Sequence, residues 1–136
     1  MGSGMNDPVW IPKEVVLALH ERQLAEHGGA AGVRDEALLE SALARPQQLW
    51  AYGQPPPDLC ALAAAYAFGL AKNHSFFDGN KRTAFVVYRL FLLRGGITVT
   101  ATKEDRYLSM LHLASGIHTE DSFATWLREH TAPAQG

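Results

Sequence analysis

The sequence predicts an all-α fold, and three observations carry that expectation. Apolar residues recur at helical spacing along most of the chain. Gly28-Gly29, Pro46 and Gly95-Gly96 punctuate these stretches with residues that end helices. Only Ile97-Thr98-Val99-Thr100 alternates in the manner of an extended segment. Composition agrees, since 47% of the residues are apolar and 19% charged, enough for a real core and unlike a disordered chain. A length of 136 residues suits one domain, placed over 5–136, with Met1-Gly2-Ser3-Gly4 read as a vector-derived scar before a natural start at Met5.

The totals exclude several classes. Net charge is -2, with twelve Lys and Arg against fourteen Asp and Glu, so no basic face announces a nucleic-acid partner. A single cysteine, Cys60, rules out an internal disulfide framework and a multi-cysteine zinc site. Its alanine-rich surroundings read as those of a small buried hydrophobe more than of a reactive thiol. No apolar run is long enough to cross a membrane and no signal peptide is visible, which predicts a cytoplasmic protein.

The elements follow in order. Residues 6–11 form an extended lead-in, and Pro12 opens a helix reaching about His27, with Val15, Val16, Leu19 and Leu24 as its stripe. After a turn over 30–34, Asp35 caps a second helix carrying Leu38, Leu39, Ala42 and Leu43, which Pro46 should end. Residues 47–57 are the least helical part, holding Trp50, Tyr52, Gly53 and three successive prolines. They read equally as a flap over a cleft or as a surface loop whose rings tuck into the core.

Asp58 caps a third helix over 59–72 that is nearly free of charge and therefore buried on several sides. A fourth helix over 80–94 is apolar nearly all round, which places it at the centre of a bundle. Beyond the extended 97–100, Thr102 and Asp105 resemble a capping box at the head of a fifth helix. Thr119 caps a sixth, whose Phe123, Trp126 and Leu127 share a face. The tail after Thr131 is expected to fray.

Between the third and fourth helices lies the most chemically loaded stretch, His74-Ser75-Phe76-Phe77-Asp78-Gly79-Asn80-Lys81-Arg82. Gly79 and Asn80 stand where loop becomes helix, and a helix N-terminus offers free N–H groups and a positive dipole end to an anion. Lys81 and Arg82 are unfavourable in the first turn of an empty helix, so they imply a negative ligand between them. Asp78 supplies a hard oxygen that, with phosphate oxygens and water, suits Mg²⁺. His74 is placed to accept a proton at neutral pH, and Phe76 to anchor the loop in the core. Taken singly, each residue has a plainer reading. His74 would cap helix carbonyls, Asp-Gly-Asn would be an ordinary turn, and the cations would be solvated. The conjunction favours a cradle for the phosphates of a nucleotide. The remaining histidines, His20, His27, His112, His118 and His130, form no motif and read as structural or surface residues.

This stretch resembles the signature of the Fic/Doc family, His-Pro-Phe-x-Asp/Glu-Gly-Asn-Gly/Lys-Arg, and most of all its death-on-curing (Doc) toxin branch, where lysine follows the asparagine. Leu17-Ala18-Leu19-His20, Gly28-Gly29, Arg34-Asp35, Leu39-Glu40-Ser41-Ala42 and Ala114-Ser115-Gly116 extend the resemblance over roughly 9–130. It implies a Fic/Doc-type bundle of about six helices around a central helix–loop–helix, with at most a minor extended flap. It also implies His74 as the base for a target hydroxyl, Asp78 as the Mg²⁺ ligand, and Gly79, Asn80, Lys81 and Arg82 as the phosphate-binding set.

Three positions depart from the nucleotidyl-transferring Fic pattern. Ser75 replaces a proline, Lys81 a glycine, and Phe85 a second arginine. In Doc-like proteins the nucleotide lies reversed, so the resemblance implies transfer of the γ-phosphoryl group of ATP to a Ser or Thr hydroxyl. The implied target is a translation elongation factor of the Tu type. Attachment of a nucleotide monophosphate and a non-catalytic antitoxin-binding module are the alternatives. No glutamate is followed by Gly or Asn, so the inhibitory helix of many Fic proteins is missing, which implies a separate antitoxin that folds into a groove on binding.

Overall fold

Residues 7–135 are described by the structure, a computed structural model, so the scar and the first residue of the lead-in lie outside the described residues. The lead-in ends at Ile11, which is buried and donates its N–H to the core phenol of Tyr66 at 3.1 Å. Helix α1 (Lys13–His27) then starts after Pro12 and buries Val16 and His20. Asp35 caps α2 (Glu36–Tyr52) through the Leu38 N–H, and Asp58 caps α3 (Leu59–Lys72) through the Ala61 N–H. Gly79 heads α4 (Asn80–Arg94). After a short β1 (Ile97–Val99), Thr102 caps α5 (Lys103–Ser115). Last come α6 (Glu120–Glu129) and β2 (Thr131–Pro133). Six helices and one two-stranded sheet among the described residues make an all-α fold.

The centre of the bundle is α3. Ten of its fourteen residues are buried, and it packs against α2, α4, α5 and α6. Small residues make this possible. A Cβ on Gly69 would lie 3.1 Å from the Ala42 Cα, so α2 and α3 touch nearly backbone to backbone. Helix α4, expected at the centre, instead turns one face outward. Phe85, Val86 and Leu90 are only partly covered and Leu93 is exposed, because α1 and α5 flank α4 without enclosing it.

Three further expectations are corrected. Pro46 does not end α2; it sits buried inside a helix that continues to Tyr52. An interior proline costs about 3 kcal/mol in isolation, and burial against α3 offsets that here. Consequently 47–52 is helical, and Trp50 and Tyr52 lie on the last turn of α2 with their rings exposed, Tyr52 more than Trp50, outside the core. The tail is not frayed. Residues 131–133 pair antiparallel with β1, with Ile97 opposite Pro133 and Val99 opposite Thr131, and Ala134 N–H reaches Gly96 O at 2.8 Å. Unpaired backbone groups of β1 give the tail a partner that no local pattern announces. The reciprocal capping box belongs to α6, between Thr119 and Ser122, whereas Thr102 only accepts from Asp105 N–H.

Candidate phosphate-binding loop at the head of helix α4

The loop over 73–79 is built from its backbone outward. Asn73 ends α3 and ties the loop to α2 by donating its side-chain amide to Leu38 O at 2.9 Å. His74 follows at φ 53, a left-handed conformation rare outside glycine. Its carbonyl accepts from Arg34 Nε at 2.7 Å, and Asn73 O accepts from Arg34 Nη2 at 3.4 Å. The carbonyl of Ser75 accepts from the N–H groups of Arg34 and Asp35. Phe76 is buried, as the anchor role requires, and its N–H and carbonyl are both held by the side-chain amide of Asn80 at 3.0 Å. Ser75 is also buried, with no hydrogen-bond partner for its hydroxyl among the described residues. A proline in its place would forfeit no side-chain bond.

A second segment closes over the first. Residues 28–34, expected as a plain turn, lie alongside the loop. Val33 bridges Phe76, Phe77 N–H donates to Gly32 O at 3.3 Å, and Ala30 N–H donates to Asp78 Oδ2 at 2.7 Å. Gly29 is required there, because it sits at φ 126 and a Cβ would come within 3.1 Å of the Asp78 side chain. The flap of this protein is therefore 28–34, while 47–57 lies elsewhere. The groove of about 440 Å³ lined by Pro55, Pro57, Asp58, Ala124 and Arg128 runs between the proline stretch and α6 and includes no residue of the loop.

The titratable side chains of the loop and of the first turn of α4 face solvent. His74 is exposed, and neither ring nitrogen is hydrogen-bonded among the described residues, so it does not cap the carbonyls of α3. Lys81 and Arg82 are exposed and join no ion pair among the described residues. Asp78 holds Ala30 with Oδ2 and keeps Oδ1 without a protein partner among the described residues. Among the described residues no three His, Cys, Asp or Glu side chains converge on one point, so a cation at Asp78 has to complete its shell with phosphate and water oxygens. That donor set fits Mg²⁺. Gly79, at φ 80, turns the chain into α4, whose first N–H groups have no intrahelical acceptor. The Asn80 side chain is committed to Phe76, so of the groups expected to hold phosphate it is the one already engaged within the fold.

Sequence reasoning missed two residues that build this loop. His20 is 3% exposed; its ring stacks on Phe76 with centroids 3.7 Å apart, and its Nε2 lies 2.8 Å from Asp78 O. The signal was available, because His20 falls in phase with Val16 and Leu24 on the apolar stripe of α1, where a polar ring needs a partner. Arg34 gave no such signal, since its bonds to the loop span about forty residues of sequence.

Comparison with known proteins bears directly on this loop. Residues 10–92 match the model of a family described as the Fic/DOC family. The chain is 36% identical over 94 residues to the protein kinase doc of Escherichia phage P1, covering 69% of this chain and 74% of that protein. It is 40% identical over 111 residues to the toxin Doc of Mycolicibacterium smegmatis, covering 79% of this chain and 85% of that protein.

Proposed function

We propose that this chain, which belongs to the Fic/DOC family and is a Doc-like toxin, is a protein kinase that moves the γ-phosphoryl group of ATP to a Ser or Thr hydroxyl of a translation elongation factor. The observation that carries the reading is the head of α4. A left-handed Gly79, free first-turn amides and two cations unpaired among the described residues sit together there, beside an exposed imidazole and a carboxylate with one oxygen unengaged by those residues. Phosphoryl transfer needs little else from a protein than positioning and charge.

In this reading His74 accepts the proton of the target hydroxyl as its oxygen bonds to the γ-phosphorus. The bond from that phosphorus to the β,γ-bridging oxygen breaks, and ADP leaves with the electron pair. Lys81, Arg82 and the amides of Gly79 and Asn80 hold phosphate oxygens and balance the charge that shifts toward ADP. Asp78 would hold Mg²⁺, which when bound neutralises part of the triphosphate charge. The exposed Phe77, lying against Gly32 of the flap, is positioned to meet the target chain. Lys81 and Phe85, in place of the glycine and arginine of nucleotidyl-transferring enzymes, favour the reversed nucleotide. A toxin of this class is paired with an antitoxin, and inhibition by a separate chain accords with the missing inhibitory helix.

The test uses ATP labelled separately in its α- and γ-phosphates, with purified elongation factor as acceptor. Label from the γ-phosphate alone is expected in the acceptor. Label from the α-phosphate would replace the kinase with a nucleotidyl transferase.

A further inference from the structure

The sharp turn at Gly79 raises a difficulty for any phosphate cradle at this site. Glycine permits the left-handed conformation at φ 80 that heads α4, but the same lack of a Cβ lets the peptide plane before it rotate with little steric resistance. An amide that must face an anion then needs something to stop it turning away. His20 stands at that point. It is buried in α1, its ring lies flat on Phe76 with an interplanar angle of 10°, and a Cβ on Gly79 would rest 3.5 Å from its Cδ2.

Its Nε2 is 2.8 Å from the carbonyl oxygen of Asp78. A carbonyl carries only lone pairs, so the nitrogen is the donor and bears the proton. The Asp78–Gly79 peptide is trans, and in a trans peptide the C=O and the following N–H point in opposite directions. With the carbonyl drawn inward onto a buried ring, the Gly79 N–H is directed away from that ring.

We infer that His20 is a positioning residue for the phosphate site: its Nε2–H locks the Asp78–Gly79 peptide plane so that the Gly79 amide faces the bound phosphates. This rests on the reading of the loop as a phosphate cradle. It separates two roles for one ring, packing on Phe76 and aiming Gly79, and substitutions can divide them. His20→Phe keeps an aromatic ring on Phe76 and loses the donor. His20→Gln loses the ring and keeps a donor nitrogen at nearly the place of Nε2. His20→Asn places its donor too short to reach.

The experiment titrates Mg·ATP into labelled full-length protein, following the Gly79 amide by NMR, and measures KM and kcat for ATP in the transfer assay. In wild-type protein and His20→Gln the Gly79 amide should shift on titration. In His20→Phe that shift should be absent and KM for ATP should rise by about tenfold, the equivalent of one charge-assisted hydrogen bond, with a smaller change in kcat. A packing role alone would give the reverse order, with His20→Phe the milder change. His20→Phe that keeps the wild-type shift and KM overturns the role of His20 and leaves the functional reading standing. If His20→Phe does not fold, the Gln and Asn variants decide, and equal ATP affinity in those two overturns it. Wild-type protein whose Gly79 amide ignores Mg·ATP overturns both this role and the phosphate cradle.

Discussion

Two connections lead into and out of the central helix α3, and they are fixed by opposite means. Residues 53–58 are held at one end by a backbone bond to the turn before and at the other by the Asp58 side chain, which is engaged both in its own helix and with a distant arginine. Gly53 N–H returns to Leu49 O, and Asp58 both caps α3 and pairs with Arg128 of α6, at 2.6 Å to Nε and 3.0 Å to Nη2. The loop over 73–79 is held through its backbone by distant residues. His20, Arg34, Ala30 and Gly32 all reach it from well upstream, and Asn80 from just beyond it. Its charged and titratable side chains stay exposed. In the first connection the Asp58 carboxylate is fully engaged in fixing the structure; in the second the His74 ring and one oxygen of Asp78 are left clear while other residues fix the backbone. A backbone held rigid under unengaged polar groups is the arrangement a functional constellation needs.

The contrast can be broken most sharply at His74. Replacing His74 by Ala should lower the transfer rate by roughly 10²–10⁴-fold with an unchanged melting temperature, because the exposed ring makes no hydrogen bond among the described residues. Toxicity that survives this substitution, with folding intact, would point to a non-catalytic module. A smaller effect is expected at Arg34, whose guanidinium holds the carbonyl of a non-glycine residue at φ 53. Arg34→Ala should slow single-turnover transfer about tenfold, since a hydrogen bond from a charged donor contributes about 1.5 kcal/mol. Melting should fall by a few degrees while the protein stays folded at the assay temperature, and a rate equal to wild type would show that Arg34 does not hold His74 in place.

The smallest effect belongs to the other connection, and it should appear in stability alone. Asp58→Ala removes the α3 cap and a half-exposed ion pair, which together contribute about 1–2 kcal/mol at pH 7. The hydrogen bond from Arg128, ahead of any other cause, holds the Asp58 carboxyl below its usual range. A depressed carboxyl stabilises the fold at pH above its unfolded value of 3.8, and that stability is lost as pH falls through the lower folded value. Denaturant titrations of wild type and Asp58→Ala should therefore differ at pH 7 and converge in strong acid. ATP turnover at pH 7 should match in the two proteins.

Much of the molecule was legible in its sequence. Asp35, Asp58, Thr102 and Thr119 marked helix starts because a cap acts within three residues. The loaded stretch between α3 and α4 was visible because an imidazole, a carboxylate, a glycine and two cations rarely gather in nine residues without use. The errors share one cause. Pro46 was taken as a helix end because the cost of an interior proline is local, whereas the packing on α3 that offsets it is not. The tail was expected to fray because its partner, β1, lies far upstream in the sequence, Val99 opposite Thr131. Residues 47–57 read equally as a flap or as a surface loop because of their aromatics, while the segment that lies along the loop, 28–34, carries three glycines and contributes through its backbone.

The sequence by itself determined that the chain would be helical, where most helices begin, and which side chains would stand at the head of α4. These follow from periodicity, capping and residue chemistry, all of which act over a few residues. Only the tertiary structure decided which helix lies at the centre, what covers the loop, and which way its peptide groups face. Those depend on contacts such as His20 with Asp78, fifty-eight positions apart, and short-range patterns carry no information about how distant segments meet.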